Sequence, residues 1–155
     1  MRIKDLIARI PYLRLHSVQT DCDGPALRIR LPFREEMQNH VGTLHAGALF
    51  TVAETAAGAA AYGIIPGGKA YVLLKSSTVR YLRRASSEVV AEARVKTRSA
   101  RRALQEFMES RRSDVRVQVT VLDREDEKVL EGMFHYALRP GGVETEAGPH
   151  GRKAG

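Results

Sequence analysis

The stretch from Ala46 to Ile65 constrains the fold more than any other part of the chain. It is almost wholly Ala, Gly and other small or apolar residues, and it holds a single charged side chain, Glu54. It stops at Ile64-Ile65-Pro66-Gly67-Gly68, where Pro and Gly oppose continuation of a helix. The spacing predicts a helix from Ala46 to about Tyr62, with Gly47 and Gly58 allowing close backbone approach. Such a helix is apolar nearly all round, so it must be covered on most sides. The run is long enough to raise the question of a membrane span. Glu54 near its middle and the lack of flanking aromatic anchors argue for a buried core helix instead, and no membrane partner is expected.

The remaining periodicities supply the cover. Ile3, Leu6, Ile7 and Ile10 fall at helical spacing and predict a short N-terminal helix over 2–10 that ends at Pro11. Tyr12 to Thr20 alternates loosely, Asp21-Cys22-Asp23-Gly24 reads as a turn, and Ala26 to Leu31 alternates cleanly, which together predict a hairpin. Phe33 to Thr43 reads as irregular. Ala70–Leu82, Glu88–Thr97, Val115–Val121 and Val129–Leu138 read as strands. Ser99 is the expected cap of a helix over Ala100–Arg112 whose apolar face is Ala103, Leu104, Phe107 and Met108. The expectation is one α+β domain over residues 1–139, a curved antiparallel sheet wrapped around the long helix. The Gly- and Pro-rich stretch 140–155 is expected to be a disordered tail.

Charge narrows the ligand. The formal net charge is +7. Between Arg80 and Arg116 eleven basic residues face five acidic ones, so this window carries +6 of it. The bases are mostly Arg, which suits bidentate contact with phosphate. The bland alternative is a solvated Arg-rich surface. Aromatics scarcely interleave the window, which argues against a single-stranded nucleic acid, and no nucleic-acid partner is expected. The lone Cys22 excludes an internal disulfide and a Cys-based zinc site. No signal peptide is visible, so a cytoplasmic location is the default expectation.

The segment Asn39 to Gly58 carries the chemistry. Asn39 is followed after five residues by His45-Ala46-Gly47, and Glu54 lies nine residues beyond His45. This pattern resembles the acyl-CoA thioesterases of the hot-dog fold, in the branch that includes the phenylacetate-pathway and 4-hydroxybenzoyl-CoA thioesterases. The match in element order extends over about residues 12–139. The resemblance implies a hot-dog fold and a thioester hydrolase that works without metal or organic cofactor, coenzyme A being part of the substrate. It also implies a homodimer, with dimers sometimes paired into tetramers. The catalytic candidates are Glu54, His45, Asn39, Gly47 and the backbone N–H of Ala46. Two departures stand out. Ala46 replaces the first Gly of His-Gly-Gly, and Leu74 aligns where some relatives place a water-holding Ser or Thr, although a small shift would offer Ser76, Ser77 or Thr78.

The residues support the same chemistry without the family. A helix beginning at Ala46 presents unpaired N–H groups at the positive end of its dipole, a setting that stabilises an oxyanion. Ala46 keeps its N–H, so its substitution for Gly leaves the donor in place. His45 reads either as a further donor or as a capping side chain, and Asn39 as a functional or a turn residue. Glu54 is costly to bury unless it has a partner or a reaction, and its role would be nucleophile or general base. Nine residues place Glu54 about 180° around the helix from His45 and about 13 Å along it. Two antiparallel copies of the helix would bring His45 of one to Glu54 of the other, so the site is expected at a dimer interface. Arg80, Arg83 and Arg84 are the first candidates for the coenzyme A phosphates, with Arg101 and Arg102 second. Hydroxyacyl dehydration on the same fold and non-catalytic acyl-CoA binding are the competing readings.

Overall fold

A computed structural model describes residues 3–21 and 28–141. The chain order is α1 (Ile3–Arg9), α2 (Pro11–Leu15), β1 (Gln19–Asp21), β2 (Arg28–Leu31), α3 (Ala46–Tyr62), β3 (Ala70–Tyr81), β4 (Val89–Arg94), α4 (Thr97–Ser110), β5 (Ser113–Leu122) and β6 (Lys128–Pro140). The strands form one six-stranded sheet in the order β1-β2-β4-β5-β6-β3, antiparallel at every pairing. The expected α+β architecture, a sheet around a long helix, is the one observed.

The core sits between α3 and the sheet. Val115, Val117, Val119 and Val121 alternate inward along β5 and are buried. Each contributes roughly 1.5 kcal/mol or more when taken fully out of water. They can approach α3 closely because its inner face is Ala48, Ala53, Ala56 and Ala57. Phe50 of α3 meets Phe134 of β6 with ring centroids 5.7 Å apart. No helix among the described residues is long and apolar enough to cross a membrane.

Several element boundaries differ from the sequence expectation. Pro11 does not simply end the first helix; it opens a second one, α2, at the position where its missing N–H costs nothing. Tyr12 to Leu15 is therefore helical rather than extended, and β1 begins only at Gln19. Helix α4 starts three residues earlier than expected, with Lys96 at its N-cap in place of Ser99, and closes at Arg111 in the left-handed conformation (φ 60°). Strand β6 runs on to Pro140, paired with Ala70. The turn expected around Cys22 to Gly24 and the tail beyond residue 141 lie outside the described residues.

The cover of α3 also differs in origin. The sheet takes one side, but α1 and α2 lie over part of the other, burying Ile7 and Leu13. The sheet plus a partner molecule is therefore not the only cover available. The surface left for a partner is instead at the sheet edge. Among the described residues strand β3 pairs only with β6, so its other edge is free over its 12 residues. Tyr71, Leu73, Leu74, Tyr81 and Leu82 are exposed on and just beyond it. A long, apolar free edge of this kind is a template for pairing with another chain.

Candidate active site

The start of α3 is built by the loop before it. Asn39 Oδ1 accepts from the backbone N–H groups of Val41 and Thr43, each at 3.1 Å, while its Nδ2 donates to Thr43 Oγ1 at 3.0 Å. Asn39 is thus the organiser of a tight turn, closed further by Gly42 at φ 74°. The turn is tethered when Leu44 N–H donates to Ala85 O and His45 N–H donates to Met37 O. The chain then enters α3 at His45.

His45 is the N-cap. Its Nδ1 accepts the Gly47 N–H at 2.9 Å, so the neutral ring carries its hydrogen on Nε2 and is a donor there. Gly47 is what admits the ring: a Cβ at this position would lie 3.1 Å from Nδ1. The capping role weighed for His45 is the one the structure adopts, and it takes the Gly47 N–H out of use. The N–H of Ala46 has no hydrogen bond among the described residues and lies at the exposed helix start. Ala46 N–H and His45 Nε2–H are thus donors on exposed residues at the positive end of α3.

Glu54 lies over two turns further along. Its Oε1 accepts from the Tyr136 hydroxyl at 2.8 Å, and the same hydroxyl lies 3.0 Å from the Glu54 carbonyl oxygen. Tyr136 is fully buried on β6. Burial, reinforced by the Glu54 charge, drives its hydroxyl far above the ordinary tyrosine range, so it stays a protonated donor. The carboxylate therefore has one oxygen held and the other available. It forms part of the wall of a cavity of about 220 Å³ whose other sides come from α1, α2 and Val72 of β3. Gly58 makes room for this pairing, since a Cβ there would reach within 3.3 Å of the Tyr136 hydroxyl.

The arginine candidates divide. Arg83 and Arg84 line a cleft of about 290 Å³ together with Asn39 and Ala46, at the mouth of the α3 N-terminus. Arg83 pairs with Glu127 at 3.0 Å, whereas Arg84 makes no ion pair among the described residues. Arg80 stands on β3 paired with Glu131 at 2.9 Å. Arg101 lines a separate groove at the C-terminal end of α3, and Arg102 pairs with Glu106 on α4. Within one chain, Arg101 and Arg102 do not join Arg83 and Arg84.

The β3 alternatives sort by register. A bulge at Lys75 lets both Leu74, opposite Tyr136, and Ser77, opposite Phe134, face α3, while Ser76 and Thr78 point to the other side of the sheet. Ser77 is the hydroxyl on the α3 side. Within one chain Glu54 and the α3 N-terminus occupy different cavities, as their opposite placement on the helix requires. Sequence reasoning missed Tyr136 and the roof made by α1 and α2. Tyr136 reads in sequence as one more apolar strand position, and nothing local marks the helix it faces.

The model of the family described as "domain of unknown function" DUF4442 matches residues 6–138. Among curated proteins none matches the sequence. Solved structures do. A Pseudomonas aeruginosa protein described as a probable thioesterase is 27% identical, covering 90% of this chain and 94% of its own, with a TM-score of 0.77. A thioesterase family protein from Silicibacter pomeroyi is 21% identical over 90% of this chain and 96% of its own, with a TM-score of 0.72. A Haemophilus influenzae thioesterase is 15% identical, covering 93% and 92%, with a TM-score of 0.71. The fold is the hot-dog fold of thioesterases.

Proposed function

We propose that this chain, which belongs to the DUF4442 family, is a thioester hydrolase acting on acyl-CoA at a site shared by two copies. The observation that carries this reading is the Glu54 carboxylate, set in an otherwise apolar helix, fixed by Tyr136 and open to a cavity. The similar fold of the probable thioesterase from Pseudomonas aeruginosa supports it. One copy supplies Glu54 and its cavity. The other supplies the α3 N-terminus with Ala46 N–H, His45 Nε2–H and the Arg83–Arg84 cleft.

In the reaction, Glu54 takes a proton from water as the water oxygen adds to the thioester carbonyl carbon. The carbonyl oxygen becomes an oxyanion held by the Ala46 N–H and His45. Collapse breaks the carbon–sulfur bond, and the thiolate leaves with the proton that Glu54 received. The products are a carboxylic acid and free coenzyme A. A panel of acyl-CoA substrates with a free-thiol readout tests the activity. Release of thiol from none of them overturns it.

The free β3 edge supports a second copy as the covering partner. The expected mass in solution at micromolar concentration is that of a dimer or a multiple of it. A monomeric mass would remove the shared site. The Arg cleft supports recognition of the nucleotide end. Replacing Arg83 and Arg84 together by Gln is expected to raise KM for acyl-CoA, with a smaller effect on a pantetheine thioester that lacks the nucleotide phosphates. Arg84, which has no acid partner among the described residues, is expected to account for more of this than Arg83. Equal losses on both substrates would show that the pair does not read the nucleotide.

A further inference from the structure

We infer that the cavity behind Glu54 is a binding channel for one straight, saturated acyl tail of about eight carbons, and that Tyr62 sets its length. This rests on the thioesterase reading of Glu54. The cavity follows one stripe of α3: Glu54, Gly58 and Tyr62 line it at successive turns. That stripe runs about 12 Å along the helix axis. A cavity of about 220 Å³ along that stripe has room for one short aliphatic chain. The roof is aliphatic, from Leu6, Ile7, Ile10 and Leu13.

The polar groups along the middle of the channel are already committed, and the second Glu54 oxygen and the Tyr62 hydroxyl stand only at its two ends, which selects an acyl tail over the amide-bearing pantetheine arm. The Tyr136 hydroxyl donates to Glu54, Thr55 Oγ1 donates to Thr51 O at 2.7 Å, and Tyr12 Oη bonds Thr51 Oγ1 at 3.3 Å. A pantetheine arm would bury amides here without partners, whereas a hydrocarbon loses nothing. Tyr62 is the lining residue of α3 furthest from Glu54. That ring is seated by Gly68, where a Cβ would come within 2.9 Å of the Tyr62 hydroxyl. Gly68 stands at φ 66°, in the left-handed region that favours glycine. The carbonyl thus sits at Glu54 and the terminal methyl against Tyr62.

The test measures binding rather than turnover, with S-alkyl-CoA thioethers of four to fourteen carbons titrated calorimetrically into the full chain. Affinity should climb about fourfold per methylene up to about eight carbons and then stop rising. A phenyl thioether should bind more weakly than the octyl one. Tyr62→Ala should extend the rise to longer chains. Ile10→Ala, a change in the partly exposed roof, should lower octyl affinity about tenfold and leave coenzyme A itself unaffected. It decides the matter even if Tyr62→Ala fails to fold. Affinity independent of chain length, or an Ile10→Ala variant that binds octyl-CoA as the parent does, would overturn the channel. Graded binding without thiol release would sink the hydrolase reading and leave the channel standing. Thiol release without graded binding would do the reverse.

Discussion

Glu54→Gln is expected to lose on the order of a thousandfold or more in kcat, the upper part of the range for removal of a general base. The amide keeps the shape and can still accept from Tyr136 through its oxygen, so the channel and the fold should survive. What it cannot do is take a proton from water. Glu54→Ala should be at least as inactive and should remain folded, because Ala suits this helix. Substrate should still bind both variants, since the α3 N-terminus and Arg84 are untouched. The shared site adds a second expectation. Mixing Glu54→Ala chains with His45→Ala chains produces heterodimers in which one site has lost both groups and the other has lost neither. With random exchange about half the dimers are mixed, so about a quarter of the parental sites should return. Activity in Glu54→Gln near the parental value would remove the carboxylate from the mechanism. No rescue after verified subunit exchange would place all the groups in one chain.

The sequence made the helix legible because its signal is local. Ala46 to Tyr62 has an apolar content and a Pro–Gly stop that no strand would carry, and the observed bounds coincide with the expected ones. Glu54 stood out for the same reason, as a lone charge against a uniform background. The β5 valines were legible through strict alternation. What was not legible depended on contacts between distant segments. Tyr136 lies 82 residues from Glu54, and only the closing of the sheet brings them to 2.8 Å. The Pro11 signal has two meanings, helix stop and helix start, and tertiary packing of Leu13 onto the core selected the second. Asn39 and His45 were each open to a structural and a functional interpretation. Both are committed to hydrogen bonds that shape the loop, which positions the Ala46 N–H rather than competing with it.

Helix α4 shows the limit of periodicity in one comparison, and it gives the largest stability effect expected here. Ala103, Leu104, Phe107 and Met108 share one apolar face by spacing, yet Phe107 is fully buried and Met108 is 67% exposed. Taking Ala103 as zero, Phe107 lies about 40° around the helix, Leu104 about 100° and Met108 about 140°. Burial falls away from one end of that arc to the other: Ala103 and Phe107 are buried, Leu104 is half-buried and Met108 lies in the open. Phe107→Ala should therefore cost about 3–5 kcal/mol, the range for emptying a buried aromatic site. In a domain of this size that lowers Tm by roughly 10 °C. Phe107 also carries the Arg111 guanidinium 5.2 Å above its ring and offers its carbonyl to the Arg111 N–H that ends the helix. The ring contact is lost in the variant and the backbone bond is not, so the helix should keep its end while losing its anchor. Met108→Ala, on the open side, should stay within about 0.5 kcal/mol of the parent. Thermal unfolding of the two variants side by side checks both values. A Phe107→Ala loss as small as that of Met108→Ala would mean that α4 is not part of the cooperative core, and that the sheet between β4 and β5 holds without it.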